Sequence, residues 1–385
     1  MARPLGRLLL GLGVLALLAS SVLHWRELVV LGTTCLLVVL LCLPFLLGRT
    51  RVSVAVHLEP SRVVAGGSVA GGVEVVNTSG RRMLPTLLEV PVGASAHRYA
   101  VPTLAADARH DETFTVRTER RGVIGVGPAL TRRGDPLGAF SRDSVWAARQ
   151  EILVRPPLTP LGAMGAGLLR DLEGVSTDAI SQSDLAFHAL REYVPGDDLR
   201  HVHWRSSAKA MAASGDAQLL VRQYLDTRRS HATVVVDDRV RAWADEDDFE
   251  TAMSVAASIL VRAVTDDFET TFVCGGTTSS GGDGNLALDA VCRATAGTTG
   301  LVAAARHAVD LAPDTSLLFL LTGGPADGGL EDVLRAAAIF PPEVRRLALL
   351  VTGGADPGVS DVGGLSVLRL GAKDELGALL RWSVS

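Results

Sequence analysis

Two apolar runs near the N-terminus constrain the fold of this chain more than any other feature. Residues 5–23 contain one charged residue, Arg7, and residues 28–47 contain none. The short link His24–Glu27 separates the two runs. Each run has about the 20 residues that an α-helix needs to cross a hydrocarbon layer of about 30 Å. Lipid offers the backbone no hydrogen-bond partner, so we expect helices. The sequence therefore predicts a transmembrane helical hairpin over residues 1–50.

The charges that flank the two runs predict an orientation. Arg3 and Arg7 lie at the start of the first run, Arg49 and Arg51 follow the second, and the link pairs one arginine with one glutamate. Positively charged residues favour the cytoplasmic side of a membrane. We therefore expect a multi-pass protein of the inner (plasma) membrane whose termini and soluble domains are cytoplasmic. A cleaved signal peptide followed by one span is the alternative, and it would place the rest of the chain outside.

Composition argues against several classes of protein. The 385 residues carry a net charge of −5 and only 4% aromatic residues, so neither a basic field nor a base-stacking surface for nucleic acid is indicated. The four cysteines, Cys35, Cys42, Cys274 and Cys292, form no CxxC pair and no Cys/His cluster. We therefore expect no nucleic-acid partner, no cofactor and no structural zinc.

The region after the apolar runs has the pattern of a β-rich domain. Stretches such as RVSVAVHLEP and SVAGGVEVVNTS alternate apolar and polar residues between turn signals. Residues 51–150 are therefore predicted to form a sandwich-like domain. Residues 151–185 are rich in Pro and Gly and then in Ser, Thr and Asp, which predicts a connector of extended or mobile structure.

Residues 231–385 alternate buried-type strands with amphipathic helices. Ala232–Asp238 is an apolar strand, a helix is expected from about Glu246 to Val264, and further units of the same kind follow. Such alternation predicts a doubly wound α/β domain with helices on both faces of the sheet. The glycine-rich stretch Gly275–Asn285 lacks the ending of a phosphate-binding loop and is interpreted as a flexible loop.

The segment 186–230 carries the densest group of charged and aromatic residues. It contains REYVPGDDLRHVHWRSSAK, a pattern that resembles the signature of a bacterial family called domain of unknown function 58. The candidate interaction residues that carry the likeness are Arg191, Tyr193, Gly196, Asp197, Asp198, Arg200, His203 and Trp204.

The resemblance implies an architecture and a class of partner. Proteins of this family have a membrane hairpin, a β region, the signature, and a domain similar to the von Willebrand factor A domain. They are commonly encoded beside MoxR-type AAA+ ATPases. The implied function is a membrane-anchored scaffold for protein interaction that works with such an ATPase in assembly or maturation of other proteins. The family brings no defined enzymatic activity.

The resemblance also points to a degenerate metal site. A domain of this kind binds Mg²⁺ through an Asp-x-Ser-x-Ser motif, where this chain has arginine at both serine positions, and through a later Thr-Asp-Gly. Arginine has hydrogen-bond donors only, and its charge repels a cation. We expect no bound metal and a pairing of one arginine with a neighbouring aspartate. The residues of this degenerate site are Asp237, Arg239, Arg241 and Thr322.

Three alternatives stay open for these residues. The signature is interpreted as an ion-pair network that clamps its segment to the α/β domain, but Asp197, Asp198 and His203 could instead be the acid and base groups of a hydrolase. His201 and His203, on one face of a strand, could contribute to a zinc site. Metal-dependent adhesion is the third alternative. The acidic run 245–248 is interpreted as the solvated first turn of a helix or as a docking surface for a basic partner.

Overall fold

The structure, a computed structural model, divides into two compact units, Met1–Pro157 and Leu158–Ser385. Each unit has its own hydrophobic core, so the chain is a multidomain protein that combines helices with several sheets. The residues that the structure describes are 4–46, 52–83, 85–134, 137–163, 185–194, 199–214, 219–226, 230–324 and 329–382.

The first unit begins with two helices that pack against each other, α1 (Pro4–Leu23) and α2 (Arg26–Leu46). A Cβ added at Gly32 would lie 2.7 Å from Cγ of Leu17, so glycine permits this close packing. Within the described residues, α1 is the one helix found long and apolar enough, by length and composition, to cross a membrane. The second span therefore remains a prediction.

The rest of the first unit is a β-sandwich. Its sheets have the strand orders β1-β3-β6 and β2-β10-β7-β4-β8-β9, with β5 paired to β4. Alternate residues of both sheets fill one apolar core, as in β1, where Val52, Val54 and Val56 point inward. The strands are β1 (Val52–Glu59), β2 (Arg62–Val64), β3 (Ser68–Asn77), β4 (Thr86–Val92), β5 (Ser95–Val101), β6 (Arg109–Arg117), β7 (Gly122–Val126), β8 (Ala129–Gly134), β9 (Ser141–Ala147) and β10 (Gln150–Arg155).

The sandwich ends later than the sequence predicted. Strand β10 continues the second sheet to Arg155 and places Ile152 and Val154 in the core, so residues 151–155 belong to the first unit and not to the connector. The apolar triplet Ile152–Val154 lacks clear alternation, which is why its pattern did not stand out. After Pro157, Leu161 packs against the core of the second unit. Residues 164–184 lie outside the described part of the chain.

The second unit contains a seven-stranded sheet in the order β15-β14-β13-β16-β17-β19-β18. Strands β13, β14, β16, β17 and β19 run parallel, and the two edge strands are antiparallel. The strands are β13 (His231–Val236), β14 (Glu269–Cys274), β15 (Thr277–Gly281), β16 (Leu317–Gly323), β17 (Arg345–Val351), β18 (Gly358–Val362) and β19 (Leu365–Leu370).

Helices cover both faces of this sheet. One apolar cluster joins the sheet to α4, α5 and α8, and a second cluster joins its other face to α6 and α7. All six residues of β13 are buried, as expected for a strand covered on both sides. The helices are α4 (Glu246–Thr265), α5 (Gly284–Arg293), α6 (Leu301–Leu311), α7 (Gly329–Ala337) and α8 (Leu376–Trp382).

One sequence interpretation in this unit is wrong. Gly275–Asn285, expected to be a flexible loop, contains the edge strand β15, which pairs antiparallel with β14. Thr277–Gly281 is polar throughout and half-exposed, so it has no apolar alternation that a pattern could reveal. Its hydrogen bonds to β14 hold it in place, including the bond from Thr270 Oγ1 to the carbonyl of Gly281.

The signature segment forms a small substructure in the same unit. Strands β11 (Leu185–Glu192) and β12 (Leu220–Asp226) pair antiparallel, and helix α3 (Trp204–Ser214) lies between them in sequence. A short 3₁₀ turn, Leu199–His201, precedes α3.

Candidate functional site

Two buried aspartates mark the carboxyl edge of the parallel sheet. Asp237 and Asp238 directly follow β13 and are 0% and 3% exposed. The ends of β13, β16 and β17 meet at this edge, which brings Thr322 and the loop after β17 close to them. Open α/β sheets bind ligands at this edge. A buried carboxylate is stable only beside a cation or hydrogen-bond donors. The groups that contact Asp237 and Asp238 therefore determine whether these carboxylates are available to a ligand.

Arg239 is the partner of Asp237. Its Nε lies 3.0 Å from Oδ1 of Asp237 and one terminal nitrogen lies 2.7 Å from Oδ2, a two-point contact. The backbone N–H of Arg239 donates to Oδ1 at 3.0 Å, and Thr322 Oγ1 donates to Oδ2 at 3.3 Å. The hydrogen bond to Asp237 raises the pKa of Arg239. The predicted pairing is thus found between these two residues.

The same guanidinium reaches a second carboxylate. Its other terminal nitrogen lies 2.8 Å from Oδ2 of Asp332, in the first turn of α7, and the Arg239 side chain is only 19% exposed. Arg239 therefore bridges the end of β13 to the helix that follows β16. Arg241, the other arginine of the degenerate motif, is exposed on the 3₁₀ turn Val240–Ala242.

Asp238 is held by backbone amides instead of a cation. The N–H of Gly300 donates to its Oδ1 at 2.7 Å, and the N–H of Thr299 donates to Oδ2 at 3.1 Å. Gly300, at φ +84°, is the residue before α6, so the carboxylate lies where the partial positive charge of that helix is concentrated. Both aspartates are therefore fixed by contacts within the protein.

A buried tryptophan fixes the turn that follows these aspartates. Nε1 of Trp243 donates to the carbonyl of Asp237 at 3.1 Å, and its ring meets Phe249 edge-on with centroids 5.6 Å apart. With Arg239 and Trp243 both anchored, the residues between them turn outward. Val240 is 68% exposed, so this edge presents a rigid turn with an apolar residue beside Arg241.

The acidic run after this turn is only partly solvated. Asp245 caps α4 by accepting the N–H of Asp248 at 2.8 Å, and Glu246 and Asp247 are exposed. Asp248 is buried, and its Oδ1 accepts the N–H of Gly353 at 2.7 Å. The expectation of a solvated first turn is wrong for Asp248, because α4 turns this position toward the loop after β17. Burial raises the pKa of Asp248.

Asp248→Asn is expected to change how stability depends on pH. A carboxyl group with a raised pKa binds its proton more tightly in the folded chain. Its contribution to the free energy of unfolding is therefore complete below the unfolded value of about 3.9 and is lost as pH rises through the folded pKa. Asparagine does not titrate and can still accept the N–H of Gly353. Denaturant unfolding between pH 4 and pH 8 should show the variant gaining stability relative to the native chain.

The exposed Asp310, on α6, supplies the matched control. Asp310→Asn should leave the pH profile of the native chain unchanged. A constant difference between Asp248→Asn and the native chain across the pH range would contradict the assignment.

Among the signature residues that the structure describes, hydrogen bonds connect the start of helix α3 to strand β12. The N–H of His203 donates to the carbonyl of Leu220 in β12, and its ring Nδ1 accepts the N–H of Ser206 at 3.1 Å. His203 therefore caps α3. The expectation that His201 and His203 share a strand face is wrong, because His201 ends a 3₁₀ turn and His203 precedes a helix.

Ser207 adds two hydrogen bonds to this connection between α3 and β12. It is 1% exposed, its Oγ lies 3.2 Å from the carbonyl of His203, and it accepts the N–H of Leu220 at 2.8 Å. Ser207→Ala is expected to lower the free energy of unfolding by about 1–3 kcal/mol, because it leaves a buried N–H without its acceptor. Hydrogen exchange at Leu220 should accelerate together with that loss. Ser206→Ala, at the neighbouring position, is the control, and an equal effect from both variants would contradict this role.

The remaining signature residues are divided between the described part of the chain and residues outside it. Gly196, Asp197 and Asp198 lie outside the described residues, so the predicted ion-pair network around them stays a prediction. Arg191 stands opposite Val221 in the β11–β12 register. The other three are Tyr193, whose N–H donates to Leu219, and the exposed residues Arg200 and Trp204.

Sequence reasoning missed several residues of the edge. Asp332, Thr299 and Gly353 are distant in sequence from Asp237, and no motif links them to it. Asp332 carried one usable signal, since it belongs to an acidic pair in the first turn of a helix after a parallel strand, where side chains reach the carboxyl edge.

Comparisons with known proteins give no relative from which a function could be inferred. No family model matches the chain, and no curated protein matches it significantly. The CARDB domain of a Pyrococcus furiosus protein is similar at 15% identity over 27% of this chain and 93% of that one, with a TM-score of 0.22. The putative ApaA protein of Bordetella pertussis matches at 13% over 28% and 94%, with a TM-score of 0.21.

A third similar structure is the alkylpurine DNA glycosylase AlkC of Pseudomonas fluorescens. It is 11% identical over 35% of this chain and 42% of that one, with a TM-score of 0.21. TM-scores this low do not establish a shared fold.

Proposed function

We propose that this chain is a membrane-anchored scaffold for protein interaction, related to the domain of unknown function 58 family. In this proposal the second unit is a von Willebrand factor A-like domain, and its partner is a MoxR-type AAA+ ATPase that acts in assembly or maturation of other proteins. The order of hairpin, β region, signature and α/β unit supports the proposal, as does the parallel sheet with a buried aspartate after its first strand.

The observation that carries the proposal is the contact of Arg239 with Asp237 and Asp332. Its guanidinium lies within 2.8 Å of both carboxylates, where a divalent cation would need them as ligands. A cation there would face a fixed positive charge. Recognition through a shared metal ion is therefore disfavoured, and recognition through exposed side chains is favoured.

The exposed residues of the edge form a compact surface, which we name the edge turn: Val240, Arg241, Asp245, Glu246 and Asp247. Val240 and Arg241 lie on the turn that Arg239 and Trp243 hold, and the three carboxylates follow it at the start of α4. A rigid surface loses little conformational entropy on binding, and its carboxylates favour a partner with basic residues at the contact.

The proposed anchor is a hairpin with both soluble units on the cytoplasmic side of the plasma membrane. Apolar side chains of α1, such as Leu8, Leu15 and Leu18, are exposed in the folded chain, which suits contact with lipid. The second span over 28–47 and the arginines that flank both helices support a multi-pass arrangement.

Affinity capture from detergent-solubilised membranes tests the proposal. The full chain, immobilised through its C-terminus, is expected to retain a MoxR-type ATPase identified by mass spectrometry, in an amount that changes with ATP. Val240→Asp combined with Arg241→Glu should reduce the retained ATPase at least tenfold. Leu286→Asp, at an exposed position of α5, is the control and should retain it like the native chain. No ATPase on the native chain, or equal amounts on both variants, would count against the proposal.

Two of the three alternative hypotheses, hydrolysis and metal-dependent adhesion, are less well supported. The hydrolase hypothesis needs His203 as a free acid or base, but its ring accepts the N–H of Ser206 as a helix cap. Metal-dependent adhesion needs an open cation position beside Asp237, which the Arg239 guanidinium fills.

A further inference from the structure

The hairpin that joins β8 to β9 packs against the N-terminal end of α1 and the C-terminal part of α2. Ala139 and Phe140 are buried in one apolar cluster with Val39 and Cys42 of α2. On the other helix, a Cβ added at Gly6 would overlap the carbonyl oxygen of Ala139, so backbone meets backbone there. Residues 137–140, which we name the hairpin tip, are therefore attached to the ends of both helices.

This attachment places the hairpin tip at membrane depth if the helices span. A hydrocarbon layer of about 30 Å extends about 15 Å from its middle. At 1.5 Å per residue, Gly6 lies about 11 Å from the middle of α1, and Cys42 lies about 9 Å from the middle of α2. Both contacts fall inside the layer. Leu137, which is 55% exposed on the hairpin tip, then lies where lipid would cover it.

We propose that the hairpin tip is a lipid-docking element. Leu137 enters the outer hydrocarbon layer, so that the sandwich is held against the membrane as well as tethered by its helices. The inference rests on the membrane anchor of the proposed function. The continuous contact from the hairpin tip to the helix pair argues for a bilayer as the occupant.

Depth-dependent fluorescence quenching tests this proposal on the full chain in nanodiscs. A fluorophore is attached at Leu137→Cys, at Leu15→Cys in the middle of α1, or at Val64→Cys on the exposed strand β2, and the chain without an added cysteine is the blank. Lipids carry a nitroxide either near the headgroup or deep in the acyl chain. We expect strong quenching at position 137 by the shallow nitroxide and at position 15 by the deep one. Quenching at position 64 should be weak.

The outcomes separate the two proposals. Quenching at position 15 with position 137 no higher than position 64 overturns the docking element and leaves the anchor intact. Failure at position 15 overturns both. Quenching at position 137 that appears only when two chains share one disc assigns the hairpin tip to a second copy of the chain and overturns lipid docking.

Discussion

Replacing Arg239 by serine is expected to lower the free energy of unfolding by about 3 kcal/mol and to create a divalent-cation site. Without the guanidinium, the fully buried Asp237 loses its two-point partner, and breaking a buried pair from one side costs about 3–5 kcal/mol. We take the lower end of that range because the Arg239 side chain is 19% exposed. Urea unfolding of the detergent-solubilised chain, followed by tryptophan fluorescence, measures the loss.

Mg²⁺ should restore part of this stability in Arg239→Ser only. The variant offers Mg²⁺ the hard oxygen ligands it prefers, from Asp237, Thr322, Asp332 and the new serine. At 10 mM Mg²⁺ and a dissociation constant of about 1 mM, binding would return about 1.4 kcal/mol. Adding Arg241→Ser would complete the Asp-x-Ser-x-Ser pattern of a von Willebrand factor A-type metal site, and it should tighten binding further.

Two controls make this result specific. Arg335→Ser removes an exposed arginine that pairs with Glu331 and lies 3.9 Å from Asp332, so it tests whether loss of any cation near Asp332 suffices. It should change stability by less than about 0.5 kcal/mol with or without Mg²⁺. Asp237→Asn combined with Arg239→Ser keeps the cavity but removes the central ligand. If Mg²⁺ stabilises none of these chains, or stabilises the native chain equally, Arg239 does not occupy a position where a cation could bind.

The elements of the α/β unit could be predicted because their signals are local. The apolar run at 232–238 and the amphipathic stretch at 246–264 correspond to β13 and α4 within two residues at each end. Each pattern reflects how one element is buried, and a strand covered on both faces needs apolar residues at nearly every position. The polar edge strand β15 was not predicted, because its stability comes from hydrogen bonds to the neighbouring strand β14.

The site could be predicted only where its partners are close in sequence. Asp237 and Arg239 are two residues apart, so opposite charges after a buried strand sufficed to expect an arginine–aspartate pair, but not to say which arginine and which aspartate form it. The contact between Arg239 and Asp332 depends on the order of strands in the sheet, which brings α7 beside the end of β13. The burial of Asp248 likewise depends on the loop after β17. Such contacts follow from tertiary packing, which one sequence does not specify.

Trp243→Ala is expected to have the other large effect, a loss of about 3–5 kcal/mol in the free energy of unfolding together with loss of partner binding. Truncating a buried aromatic side chain removes its apolar contacts and leaves a cavity. Trp243 is 7% exposed, packs edge-on against Phe249 and donates to the carbonyl of Asp237, so its removal also releases the turn that presents Val240. Urea unfolding measures the first effect, and capture of the ATPase measures the second.

Two further tryptophan variants separate packing from surface contact. Trp243→Phe keeps most of the apolar volume but loses the N–H, so we expect a loss of about 1–3 kcal/mol from the unpaired carbonyl of Asp237 and partial retention of the partner. Trp204→Ala removes a tryptophan that is 62% exposed and should change stability by no more than about 0.5 kcal/mol. If Trp243→Ala unfolds like the native chain, the edge turn is not held by this side chain. If it is destabilised but still captures the ATPase fully at a temperature where it is folded, the partner does not bind at the edge turn.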